Sequence, residues 1–400
     1  MKRVFVLGRW EPVFAMASLM LSFLCLYAVG IAGVGKSAPL GDDFSVFYRA
    51  GTLFLSGNNP WIALATTGQP FSYPPHALAL LSLYAALPTQ VALTVHLLIS
   101  ILAIGVICYC ANAWFLNVGC VKNMTLPQAL GFALIIGNPY TATSLYQGQT
   151  TLLVTAALLL SWLFLTRGHK LAAGLLLAVA TFKPQLSLFY LLWLILSVEV
   201  CVLAAGALFA AVLLLPSVMA FGMVGTFVSW IDSLGSYADI SINMPGSPFV
   251  VGLESLLVAH GFAPASVAFP LFGALATGLL FLLRKHLGEF EQIQMLLALS
   301  CTFLFVHDYD YVVILLIWSA LLHHALMSRS LAKPLAFGIL AVGFFIPQRL
   351  LRDIDLPTVV HARTMILVVA VLVFLVWRHA QSQYAATAPG GGGDYARRAA

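Results

Sequence analysis

Apolar runs long enough to cross a lipid bilayer recur from one end of the chain to the other, and this constrains the fold more than any motif. Pro12 to Val34 is one such run, about 23 residues without a charge; Val91 to Phe115 and Val200 to Phe221 are others. A hydrocarbon core of about 30 Å needs about 20 such residues in a helix. Lipid offers the backbone no hydrogen bonds, so each run must satisfy its own N–H and C=O groups as an α-helix. With 61% hydrophobic residues, 8% charged residues and a mean hydropathy of +0.98, the chain far exceeds the roughly 45–50% apolar content of soluble domains. The expected fold class is all-α, a polytopic integral membrane protein.

The net charge of +5 does not point to nucleic acid, because the basic residues are scattered at the ends of apolar runs, where they report topology. Lys2, Arg3 and Arg9 set the first run as an anchor with its N-terminus inside. The chain then stays outside from about residue 35 to residue 90, in a first outer loop. Within it, Phe44 to Ser56 puts Phe47, Gly51 and Phe54 on one helical face, with Gly57 as a stop. Such a helix would lie along the membrane surface. Ala77 to Leu87 is too short to span and reads as a second surface or re-entrant helix.

Alternating the later runs gives about 12 transmembrane helices, both termini inside, and a second outer segment at 222–263. Thirteen of the 19 basic residues then fall inside (2, 3, 9, 122, 167, 170, 284, 285, 329, 333, 378, 397, 398) and six outside (36, 49, 183, 349, 352, 363). That bias is the expected one. Several spans are only about 12 to 16 residues, which implies broken or tilted helices around a cavity. Residues 1–380 form one transmembrane domain and 381–400 a disordered cytoplasmic tail. The six cysteines, in or beside apolar runs, read as buried thiols. No metal-ligand spacing is present, and no cofactor is expected.

Polar residues that are costly in a membrane gather on the outer side: Asp42, Asp43 and Arg49, Tyr73 and His76, Gln147 and Gln149, Lys183 and Gln185, Ser247 and Glu254, His307, Asp308 and Asp310. Ionisable groups at such depths default to function. Taken singly, each also has a plainer reading. Asp43 fits an N-cap of the Phe44 helix, Lys183 a snorkelling lysine at a helix end, and Gln147 and Gln149 interhelical hydrogen bonds. His307, Asp308 and Asp310 fit a solvated loop. Arg349, Arg352, Asp353 and Asp355 read as a surface charge cluster.

The order of the pieces carries more than any one of them. Asp43-Phe44-Ser45-Val46-Phe47-Tyr48, Leu55-Ser56-Gly57-Asn58-Asn59-Pro60-Trp61 and Phe71-Ser72-Tyr73-Pro74-Pro75 are followed by Gln147-Gly148-Gln149. Ala173-Gly174-Leu175 through Lys183-Pro184-Gln185 and His307-Asp308-Tyr309-Asp310-Tyr311 complete the series. In this order the chain resembles glycosyltransferase family 87, GT-C-type membrane enzymes that include polyprenol-phosphate-mannose-dependent mannosyltransferases. The Ser197-Val198-Glu199-Val200 turn departs from the basic residues often found there in relatives.

The resemblance implies a multi-pass protein of a bacterial-type plasma membrane, with its active site on the periplasmic face. The donor it implies is a hexosyl group, mannosyl in those relatives, carried on a polyprenyl phosphate. A glycolipid or glycan would be the acceptor, and no nucleic acid is involved. Asp43 matches the catalytic acid of the first outer loop, with Asp42 as support, and His307 resembles a late-loop histidine of the mannosyltransferases. Arg49, Lys183, His307, Gln149, Gln185, Tyr73, Asp42, Asp308 and Asp310 form the expected donor-phosphate and substrate-binding set. The chemistry agrees: an acceptor hydroxyl needs a base as it attacks, and a phosphate leaving group needs cations or hydrogen-bond donors. One base and a phosphate leaving group suggest inversion. The runner-up is a transporter or flippase of a lipid-linked saccharide, which would call for repeated halves and mid-span ionisable groups.

Overall fold

A computed structural model of the chain describes residues 10–114, 125–328, 330–347, 350 and 357–387. Several expected charges lie outside these residues: Lys2, Arg3, Arg9, Lys122, Arg329, Arg397 and Arg398 on the inner side, and Arg349, Arg352, Asp353 and Asp355 on the outer. Cys120 and positions 388–400 also lie outside them.

The described chain is almost entirely helical. Helix α1 (Glu11–Gly30) precedes three short helices, α2 (Asp42–Leu55), α3 (Pro60–Ala65) and α4 (Pro75–Leu81), the last continued by a 3-10 turn over Ser82–Ala86. Then follow α5 (Thr89–Trp114), α6 (Leu126–Ile136), α7 (Pro139–Gln147), α8 (Thr151–Thr166), α9 (Lys170–Ala180), α10 (Pro184–Leu196) and α11 (Val200–Phe221). A second group of short elements comprises α12 (Met223–Ala238), strand β1 (Val250–Val251) and α13 (Leu253–Ala259). The chain closes with α14 (Ala268–Leu282), α15 (Glu289–Phe303), strand β2 (Val306–His307), a 3-10 segment (Asp308–Ile314), α16 (Leu315–Leu326), α17 (Ala332–Phe345) and α18 (Pro357–Thr387).

Among the described residues, five helical stretches are long and apolar enough to cross a membrane: Glu11–Gly30, Thr89–Trp114, Val200–Phe221, Asp308–Leu326 and Val360–His379. Leu126–Gln147 with Thr151–Thr166, bent by 116° at its break, makes a sixth if it counts as one span. A figure near twelve therefore depends on helices of 10–17 residues such as Lys170–Ala180 and Pro184–Leu196. At a rise of 1.5 Å per residue, an 11-residue helix reaches only about 17 Å. Helix α18 also continues to Thr387, past Gln381, where the sequence predicts the tail to begin.

Burial divides the helices into two populations. Helices α8, α15 and α16 are enclosed, with Leu158, Leu159, Leu297, Leu315 and Trp318 essentially without exposure. By contrast α1, α5, α11 and α14 present bare apolar faces through Met20, Leu102, Met219 and Leu275. Helices apolar on every side have no use for a water-facing stripe, so the outer ring matches lipid and the inner ring forms the core. Glycines allow the closest crossing. A Cβ on Gly174 of α9 would stand 2.7 Å from the Val202 carbonyl oxygen of α11, and Gly206 faces it. Small residues let membrane helices approach to backbone contact, and this one sets α9 against α11 just before Lys183.

A further close approach pins the segment between α1 and α5. Helix α2 begins at Asp42 with Gly41 as its N-cap, in the left-handed region at φ 77°. Asp43 is thus not the cap that spacing suggests but the second residue of the helix, and its carboxyl is left for other partners. Gly148, also left-handed at φ 69°, ends α7 at the break before α8. The Gly41 N–H donates to the Tyr146 carbonyl at 2.8 Å, and a Cβ on Gly148 would meet the Phe44 Cβ at 2.7 Å. Gly57 has nearly the same backbone, φ 80°, with nothing within 4 Å. Gly57→Ala should therefore cost only the left-handed conformation, about 1–2 kcal/mol. Gly148→Ala adds a collision and should lower the thermal unfolding midpoint of the purified protein well beyond Gly57→Ala.

Candidate functional site

The breaks between helices deliver the polar residues. Asn138 caps α7 by accepting from the Tyr140 and Thr141 N–H groups, and Pro139 occupies the first helical turn, where a missing N–H is harmless. Gly148 then turns the chain so that Gln149 meets Asp43 at the start of α2, Thr150 meets Tyr73, and Thr151 meets Lys183 and Asp310. Lys183 precedes Pro184, which bars the α conformation from the residue before it. Lys183 is accordingly extended (φ −119°, ψ 85°) and its side chain turns inward. A two-residue antiparallel ladder pairs Val250 with His307 and Val251 with Val306, drawing the segment between α12 and α13 onto the chain after α15.

Two linked networks result. In the first, Gln149 Nε2 donates to Asp43 Oδ2 at 2.5 Å, while Gln149 Oε1 accepts from the Tyr73 hydroxyl at 3.2 Å. Thr150 Oγ1 donates to the Tyr73 oxygen at 3.0 Å. Asp43 keeps a solvent-facing surface yet is enclosed by protein on most sides. Burial pushes its carboxyl up to about 6, against the Gln149 hydrogen bond and the charge of Lys183, which favour the ionised form. A carboxylate that titrates there is a stronger base than an ordinary aspartate and is still largely ionised at neutral pH. The Tyr73 phenol is pushed up by burial and stays protonated.

The second network is deeper. Lys183 Nζ lies 2.8 Å from Asp310 Oδ1 and donates to Thr151 Oγ1 at 2.6 Å. Thr151 Oγ1 donates to the same Asp310 oxygen at 2.7 Å, and Asp310 Oδ2 accepts the His307 N–H at 3.0 Å. Lys183 is 5% exposed and Asp310 not at all, so neither the snorkelling lysine nor the solvated loop is what forms. The Lys183 ammonium also sits 4.8 Å from the centre of the Tyr309 ring, on which His307 stacks.

The tautomer of His307 follows from its partners. Nδ1 faces the Phe249 carbonyl at 3.2 Å, which can only accept, so Nδ1 carries the proton and Nε2 accepts from the Tyr237 hydroxyl at 2.8 Å. Burial, reinforced by Lys183, pulls the imidazole down to about 4 despite Asp310, and His307 is neutral at physiological pH.

Of the expected site residues, Asp43, Tyr73, Gln149, Lys183, His307 and Asp310 come together. Asp42 is half-buried beside them, outside the network. Arg49 projects into the open and donates to Gln69 at 3.2 Å; six residues past Asp43, it leaves α2 from a different face. Gln185 is half-buried and takes no part in the network. Asp308 turns to Arg363, 3.9 Å away. Thr150, Thr151 and Tyr237 belong to the site without having been expected there. The two threonines adjoin Gln147-Gly148-Gln149, whereas no spacing singles out Tyr237. Among the described residues no group of three or more His, Cys, Asp or Glu side chains is arranged to hold a metal ion.

A helical membrane protein with an acid, a lysine and a neutral histidine gathered where its helices break is the class that the fold and site define. The model of glycosyltransferase family 87 matches residues 71–307, and the chain belongs to that family. It is therefore a membrane glycosyltransferase, which decides against the flippase reading. Tyr73, Gln149, Lys183 and His307 lie within the matched stretch, and Asp43 lies ahead of it. No curated protein matches the chain.

Two outcomes follow from the geometry. Removing the hydrogen bond that favours the ionised form, in Gln149→Ala, should raise the Asp43 pKa above about 6 and shift the acidic limb of the kcat/KM profile for glycosyl transfer to higher pH. Lys183→Ala leaves Asp310 buried and unpaired, at a cost of about 3–5 kcal/mol. The paired change Lys183→Met with Asp310→Leu should recover most of that loss in thermal unfolding.

Proposed function

We propose that the protein transfers a hexosyl group, with mannosyl as the leading candidate, from a polyprenyl-phosphate sugar to a glycolipid or glycan acceptor. Asp43 is the general base. The observation that carries this reading is one carboxyl, raised to about 6, still in contact with solvent and held by Gln149 beside a buried Lys183–Asp310 pair. In the reaction, the acceptor O–H gives its proton to Asp43 as its oxygen attacks the anomeric carbon. The bond from that carbon to the phosphate oxygen breaks, and its electron pair leaves with the phosphate. A single displacement with one base inverts the anomeric centre. Lys183, whose charge acts on Asp43, would face the leaving phosphate.

The shorter apolar helices complete the spans as tilted or broken segments, giving about twelve, with both termini cytoplasmic and the site at the outer face of the plasma membrane. The bias of basic residues towards one side supports that orientation.

Asp43→Asn keeps the size and the hydrogen-bonding edge of the side chain but cannot take a proton. The variant should insert and unfold like the parent protein while transfer falls by at least about a hundredfold, within the range general-base catalysis supplies. Near-normal transfer from a polyprenyl-phosphate sugar by this variant would remove Asp43 from the mechanism.

A further inference from the structure

Tyr309 lies between His307 and Asp310 in the chain, and its ring is held by both parts of the deeper network. The Lys183 ammonium stands 4.8 Å from the ring centre, and His307 stacks on the ring at 5.2 Å and 15°. The Tyr309 carbonyl accepts from Ser144 Oγ at 3.3 Å. The residue is only 8% exposed. Its hydroxyl has no hydrogen-bond partner among the described residues, yet it is not sealed off. A phenol O–H withdrawn from water to this degree is costly unless something accepts it.

The same hydroxyl lies within electrostatic reach of the Tyr237 hydroxyl, Asp310, Asp43 and the Tyr73 hydroxyl. Three of these four are tied up. Tyr237 is bonded to His307, Tyr73 to Gln149 and Thr150, and Asp310 to Lys183, Thr151 and the His307 N–H. Asp43 is bonded among the described residues through Oδ2 alone, to Gln149. An open carboxylate oxygen and an open phenol O–H therefore border one space.

In a single displacement the attacking oxygen and the leaving phosphate lie on opposite sides of the anomeric carbon. With Asp43 at the first and Lys183 at the second, the transferred sugar lies between them. Tyr309 meets Lys183 with its ring, and its hydroxyl is within reach of Asp43, which sets that hydroxyl beside the sugar. The charge of Asp43 opposes a second anion there but not a neutral O–H group.

We propose that the Tyr309 hydroxyl binds a hydroxyl group of the transferred sugar, reading the sugar of the donor rather than its phosphate. This deepens the roles given above to Asp43 and Lys183 and rests on them. The ring is a platform for Lys183 and His307, and a phenylalanine would keep it.

Binding of farnesyl phosphoryl mannose to the purified full chain in detergent, with farnesyl phosphate as the control lacking the sugar, separates the two parts of the donor without turnover. Tyr309→Phe should weaken the mannosyl compound by about five- to tenfold, the scale of one hydrogen bond, and leave farnesyl phosphate unchanged. Among monodeoxy analogues of the mannosyl compound, one should bind the unaltered protein more weakly by the same factor and lose nothing further in Tyr309→Phe. The variant should unfold at the parent's temperature or above it, because the hydroxyl gives up no protein partner. Equal weakening of both ligands would make Tyr309 a phosphate ligand, and no weakening of either would leave it a platform only. A lower unfolding midpoint would mean that the protein itself holds the hydroxyl, and a further loss with every analogue would mean that no sugar hydroxyl does. Each of these results would overturn the proposal and leave Asp43 as the base. If the unaltered protein instead binds the mannosyl compound no better than farnesyl phosphate, the donor assignment falls, and this proposal falls with it.

Discussion

The ion pair between Lys183 and Asp310 holds the site together, because it ties three breaks in the helical bundle to one point. Lys183 comes from the turn between α9 and α10, Asp310 from the 3-10 segment after β2, and Thr151, which bonds both, from the break between α7 and α8. A buried ion pair is weak evidence for stability, since desolvation of the two charges opposes their attraction. Its value here is positional. Each partner reaches its energy minimum only when the three irregular segments are in register, so the pair converts flexible breaks into a fixed frame.

That frame sets the electrostatics of Asp43. Burial raises the carboxyl; the Lys183 charge and the Gln149 amide oppose the rise, and about 6 is the balance. With Lys183 alone in place of the pair, the nearby positive charge would go unmatched and draw the Asp43 pKa lower; with Asp310 alone it would rise. The pairing thus preserves a carboxylate that is more basic than an ordinary aspartate and still largely ionised at neutral pH. His307 adds a fixed dipole rather than a charge, since its Nδ1–H is committed to Phe249 and its Nε2 to Tyr237.

Much of this arrangement is legible in the sequence. Helix α11 spans Val200–Phe221, just where the uncharged run predicts it, because lipid-facing helices advertise themselves by composition alone. Of the three short helices between α1 and α5, α2 is readable from its apolar face and Gly57, and α4 from a run too short to span, whereas the sequence reading does not include α3. Contacts made through tertiary approach are less legible. Spacing casts Asp43 as a cap, yet Gly41, left-handed and bonded through its N–H to the Tyr146 carbonyl, takes the cap position. Arg49 shares a helix with Asp43, but helical phase turns it away. Tyr237 and Arg363 have no local signature, since each is selected by a partner more than 50 residues away in sequence, His307 for one and Asp308 for the other.

The proposed reaction is a single displacement at the anomeric carbon with Asp43 taking the proton. The most direct measurement is the anomeric configuration of the product formed by the purified protein from a polyprenyl-phosphate sugar of defined configuration, read by the one-bond carbon–hydrogen coupling at the anomeric position in NMR. Inversion, a β-linked donor giving an α-linked product, is the predicted result. Retention of the donor's configuration would require a second displacement and a covalent or shielded intermediate, and would contradict the account.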